Sequence, residues 1–102
     1  MRRSEILQRL KAHRDELAGM NVKRLAIFGS AARDEARPES DVDVLVEFAG
    51  PATFNGYMDL KFFLEDLLGR PVDLVTSRSI RPGLMEKIES EARYVQGLQA
   101  LS

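Results

Sequence analysis

The 102-residue chain has no cysteine and a single histidine, His13. Without cysteine there are no disulfides and no thiolate metal sites. One histidine excludes any centre that needs two imidazoles from one chain. Metal binding would therefore fall to carboxylates, which suit hard cations such as Mg²⁺ or Mn²⁺. A surplus of positive charge is also missing, with 15 basic and 16 acidic residues giving a net charge of −1. A protein dedicated to duplex nucleic acid is normally more basic, so direct nucleic-acid binding is not expected. No apolar run approaches the length of a bilayer span. The start, Met1-Arg2-Arg3-Ser4-Glu5, has no apolar stretch behind its basic residues, so it does not read as a secretory signal. These absences lead to the expectation of a cytoplasmic protein with no membrane contact.

What is present is ordinary for a globular chain: 44% hydrophobic and 30% charged residues, in a length that suits one domain with one modest core. Ile6, Leu7, Leu10 and Leu17 recur at helical spacing and predict a helix over residues 4–19, with Ser4 as N-cap and Gly19 as its stop. Residues 23–28 read as a strand, and a short helical turn is expected at Ser30-Ala31-Ala32-Arg33. Residues 41–48, Asp-Val-Asp-Val-Leu-Val-Glu-Phe, are the clearest strand. Thr53 can cap a helix running to Leu68, closed by Gly69 and followed by Pro71. Residues 72–76 predict a third strand. A last helix starts near Pro82 and carries Leu84, Met85, Ile88, Ala92 and Val95, unless a short extra strand forms near Tyr94-Val95. The tail from Gly97 is expected to fray. This order predicts an α/β (α+β) fold, a small mixed β-sheet flanked by helices.

Side chains alternate along a strand. Val42, Val44, Val46 and Phe48 therefore share an apolar face, while Asp41, Asp43, Leu45 and Glu47 share the other. Taken alone, Asp-Val-Asp reads as the solvated face of a half-buried strand. Three features argue for more. The aspartates sit at the strand's start, beside a loop, where sites tend to be built. Asp73 interrupts the apolar run Val72-Asp73-Leu74-Val75, where burying an unpartnered charge would be expensive. If the strands of Asp43 and Asp73 are neighbours, three carboxylates converge. Gly29-Ser30 precedes them at the end of a strand, where free backbone N–H groups favour phosphate, with Arg33 and Arg37 on the same loop. No Walker A loop occurs.

Together these residues resemble the minimal nucleotidyltransferases of the DNA polymerase β superfamily. Members carry Gly-Ser, a ten-residue spacer and Asp-X-Asp; here Gly29-Ser30 is followed by Ala31 to Ser40 and then Asp41-Val42-Asp43. Val72-Asp73-Leu74-Val75 falls where the family has its third carboxylate, and the stretch from Ile80-Arg81-Pro82 to Glu91-Ala92 is similar to its last helix. The resemblance covers nearly the whole chain, as one minimal nucleotidyltransferase domain over residues 1–102. It implies a polymerase β-like palm fold. It implies Asp41, Asp43 and Asp73 as catalytic, metal-holding carboxylates for two Mg²⁺ ions (Mn²⁺ as a substitute). It further implies ATP as substrate, with Gly29, Ser30 and Arg33 on its phosphates. Very small members resemble the antitoxins of two-gene systems, whose partners are helical HEPN-domain toxins. That implies transfer of AMP to a partner tyrosine within a hetero-oligomer. One departure is Asp34, where many relatives have glycine. Aspartate tolerates left-handed backbone, but its charge there would work against a triphosphate.

Other readings remain at the sequence level: an antitoxin that only occludes its toxin, nucleotidyl transfer to a small molecule, or a plain structural module. Tyr57, Phe62 and Phe63 read as helix core, and His13 as a surface helix residue.

Overall fold

A computed structural model describes residues 2–35, 37 and 40–97; the tail beyond Gly97 lies outside the described residues. Helices α1 (Arg3–Ala12) and α2 (Arg14–Gly19) lead into strand β1 (Val22–Phe28). A single turn, α3 (Gly29–Ala32), follows, and then β2 (Val42–Phe48), α4 (Phe54–Leu68) and β3 (Val72–Thr76). After a 3₁₀ turn at Ser77–Ser79 come α5 (Pro82–Glu91) and the short β4 (Arg93–Tyr94). The sheet order is β3-β2-β1-β4, with β2 parallel to β3 and the other pairs antiparallel. The mixed sheet flanked by helices is as expected.

One sheet face carries the larger core. Val42, Val44 and Val46 pack there with Ile6, Leu10 and Leu17. Leu60, Leu64 and Leu68, four residues apart on α4, present one buried stripe to it. The opposite face is not simply solvated. Leu45 is buried there with Ala26, Ile88 and Ala92, because α5 lies across that face. Beside this patch Glu47 pairs with Arg24 and with Lys23, and Arg24 also lies over the Tyr94 ring. Its hydrogen bond to Arg24 holds the Glu47 carboxyl below the usual range.

The local signals work as read around α4. Thr53 Oγ1 accepts the Gly56 N–H at 2.9 Å, and Gly69 closes the helix at φ +66°. The outer edge of β3 is closed by α4 itself. Glu65 Oε2 accepts the Val72 N–H at 3.0 Å, and the Tyr57 hydroxyl donates to the Leu74 carbonyl. Unpaired edge groups invite another strand, and these two are taken by side chains.

Four expectations need correction. The helix over 4–19 is two helices broken at His13, whose ring Nδ1–H donates to the Arg9 carbonyl, 2.9 Å away. Ser4 is not the N-cap: Arg2 is, its own N–H meeting Glu5 Oε1 at 3.4 Å, and the first N–H of α1 is met from afar by Asp34. The last helix stops at Glu91 because Ala92 turns extended (φ −66°, ψ 141°); Val95 reaches the main core from beyond β4. Phe62 is 57% exposed rather than core, whereas Tyr57 and Phe63 pack against the core.

Candidate active site

Three chain segments meet at one end of the sheet: the exit of β1, the entrance of β2 and the entrance of β3. The register pairs Phe28 with Asp43 and Asp43 with Asp73. Asp43 and Asp73 thus stand side by side on adjacent parallel strands. Asp41 lies just before β2, exposed, on the loop that enters it. The two strands are neighbours, which was the condition for convergence, and the register brings Asp43 and Asp73 together.

Gly29 is the turn between β1 and this cluster. Its φ is +66°, and a Cβ there would come 2.4 Å from Asp43 Oδ2. Only glycine meets both demands, left-handed backbone and close approach to a carboxylate. Ser30 follows in α3, whose last turn is closed by Arg33 N–H to the Gly29 carbonyl at 3.2 Å.

Asp43 is half-buried, and its carboxyl is held above the ordinary carboxylate range. Burial is the largest cause, followed by the charges of Asp73 and Asp41, with Arg33 pulling the other way. A cation between these like charges would relieve the repulsion that holds the Asp43 carboxyl up. The donor set is all oxygen, which suits a hard divalent ion. Among the described residues, however, no three His, Cys, Asp or Glu side chains are already gathered as a metal-holding cluster. Asp73 is exposed, so the cost of burying its charge does not arise; what distinguishes it is its register opposite Asp43.

Arg33 sits beside the cluster but is occupied. Its Nε donates to Glu35 at 2.7 Å and its Nη1 to Glu91 at 3.0 Å, which ties the end of α5 to α3. Glu91's part is invisible to sequence reading, since it reads as one of several acids on a helix. Asp34 has φ +62°, the left-handed backbone foreseen for it. Its carboxylate turns away to α1, where Oδ1 accepts the Arg3 N–H at 2.9 Å. A groove of about 570 Å³ lies elsewhere, between Leu7 of α1 and Tyr94 of β4, and none of the three aspartates lines it. No helix is long and apolar enough to cross a membrane among the described residues.

Residues 4–95 match the family model for the nucleotidyltransferase domain. The chain is 39% identical over 92 residues to the protein adenylyltransferase MntA of Thermococcus cleftensis, covering 89% of this chain and 93% of that protein. A solved structure assigned to the minimal nucleotidyltransferases superposes with a TM-score of 0.81 at 39% identity, over 91% of this chain and 95% of that one. The fold is also similar, at 20% identity and a TM-score of 0.58, to a chain in the structure of a tri-AMPylated Shewanella oneidensis HEPN toxin in complex with MNT antitoxin, over 84% of this chain and 71% of that one. The chain belongs to the nucleotidyltransferase domain family and is a nucleotidyltransferase.

Proposed function

We propose that the chain transfers AMP from ATP to a tyrosine hydroxyl of a HEPN-domain toxin and so serves as its antitoxin. The observation that carries the reading is the Asp43–Asp73 register beside the left-handed Gly29 turn. The relative named protein adenylyltransferase MntA supports the donor. The neighbour solved with an AMPylated HEPN toxin supports the acceptor.

In this reading Asp41, Asp43 and Asp73 would hold the two Mg²⁺ ions. When bound, such ions neutralise phosphate charge and favour ionisation of the attacking hydroxyl. The Gly29-Ser30 turn lies against the triphosphate, its backbone able to approach because no Cβ intervenes. Arg33 adds charge to the same phosphates, exchanging Glu35 or Glu91 for them. The tyrosine oxygen attacks the α-phosphorus; the new O–P bond forms as the bond to the β-phosphate oxygen breaks, and pyrophosphate leaves. Asp73, exposed at the sheet's edge, takes the hydroxyl proton. The Asp34 carboxylate is directed to α1, where it accepts the Arg3 N–H, which weakens the ground it offered for a purely occluding antitoxin.

The test is incubation with α-labelled ATP, Mg²⁺ and a helical HEPN protein encoded beside this chain. One or more AMP adducts on a toxin tyrosine are expected by mass spectrometry. The Asp41→Ala/Asp43→Ala double variant should fold and give none. Label transfer by that variant, or a tight complex of the unaltered proteins with no adduct, would overturn the proposal.

A further inference from the structure

Asp41 lies outside the sheet ladder, since β2 begins at Val42. Its position is therefore set by what holds the loop on either side of it. On one side the Val42 N–H donates to the Pro71 carbonyl at 2.9 Å. On the other, Arg37 to Ser40 closes as a turn: the Ser40 N–H donates to the Arg37 carbonyl at 3.0 Å, and the Arg37 N–H donates to Ser40 Oγ at 3.3 Å. The same Arg37 carbonyl accepts a hydrogen bond from Nη2 of Arg70. Arg70 and Pro71 are consecutive, and two residues further is Asp73. Both sides of Asp41 are thus fastened to the two residues that lead into β3.

Arg70 is only 8% exposed, the sole charged side chain so buried among the described residues, and its Nε and Nη1 have no partner among those residues. Burying a guanidinium is costly. A cation just past α4 would be favoured there by the helix dipole at no such cost if it stayed in water. Instead the side chain is folded inward, and its bond goes to the loop rather than to the last carbonyls of α4. The one hydrogen bond the side chain makes among the described residues is the one that holds the Asp41 loop.

We propose that Arg70 is a positioning residue: by gripping the Arg37–Ser40 turn it sets Asp41 against Asp43 and Asp73. This rests on reading those three aspartates as the holders of Mg²⁺. Arg70 touches neither metal nor nucleotide, and its effect passes through Asp41.

The test is Mn²⁺ titration of the full chain without nucleotide, followed by calorimetry, alongside thermal unfolding. Arg70→Met removes the donor and Arg70→Gln leaves one on a side chain too short to span the same distance, and either one that melts cooperatively decides the matter. Binding about tenfold weaker than that of the unaltered protein is expected, the size usual for losing a group that orients a ligand. Arg70→Lys, which keeps a donor for the Arg37 carbonyl, should recover part of the loss. In an Asp41→Asn background, removing Arg70 should weaken Mn²⁺ binding no further, since the group it positions is gone. Unchanged Mn²⁺ affinity in a folded Arg70→Met or Arg70→Gln, whatever its melting temperature, would overturn the proposal. So would an undiminished, additive loss in the Asp41→Asn background. A folded, unaltered protein that binds no Mn²⁺ would instead overturn the metal reading beneath it.

Discussion

The backbone N–H of Arg3 donates to Asp34 Oδ1 at 2.9 Å, and Arg3 Nη1 donates in turn to the Ala32 carbonyl at 2.9 Å. The first turn of α1 is thereby fixed to the loop that follows Gly29-Ser30. An acid that looked like a hindrance to phosphate binding is a helix cap borrowed from 31 residues away.

Substitutions at Asp34 should separate its two duties, the bond and the left-handed backbone. Asp34→Asn keeps both and should be close to neutral. Asp34→Gly loses the bond, while Asp34→Ala loses the bond and strains a φ of +62°. A lost cap costs about 1 kcal/mol and the strain about 1–2 kcal/mol. Melting temperatures should fall in the order Asn, Gly, Ala, with Ala lowest.

Gly29→Ala should be damaging because the new methyl would meet Asp43 Oδ2 at 2.4 Å and the backbone is left-handed. A loss of about 2 kcal/mol or more is expected, from strain plus overpacking. In an Asp43→Ala background the clash vanishes, so the same change should cost only the backbone strain, about 1–2 kcal/mol. Chemical denaturation of the four proteins of this cycle measures the difference.

The raised pKa of Asp43 fixes a pH dependence. A carboxyl whose pKa is higher in the folded state favours folding in its protonated form. Its contribution is complete below the unfolded value, about 3.9, and is lost as pH rises through the folded value. In EDTA at neutral pH, Asp43→Asn should therefore melt above the unaltered protein, and the gap should close on acidification. Millimolar Mg²⁺ should stabilise the unaltered protein and not the variant, because only a state that binds gains by mass action.

Tyr57→Phe and Glu65→Ala each free one group on the outer edge of β3. Each should cost about 1 kcal/mol. The double variant should also associate in light scattering at concentrations where the unaltered protein does not.

Much of this was legible in the sequence for physical reasons. The β2 alternation, the α4 cap and glycine stop, and the Gly-Ser to Asp-X-Asp spacing are local signals, and the structure places each accordingly. What was not legible is what depends on distant partners. Ser4 lost the capping role to Asp34. Arg70 carries no local signal, and only its contact with the Arg37 carbonyl, 33 residues away in sequence, sets it apart. Phe62 fell in an apolar helix, yet the buried stripe runs through Leu60, Leu64 and Leu68 and leaves it outside. Asp73 attracted notice for a burial it does not have, although its place opposite Asp43 is real.

The side chains on β3 also bear on strand-by-strand joining between molecules. Tyr57 and Glu65 occupy two main-chain groups on that margin. A second chain adding a strand there would have to displace both before it could pair with them. Joining at that margin therefore competes with bonds already made inside the molecule.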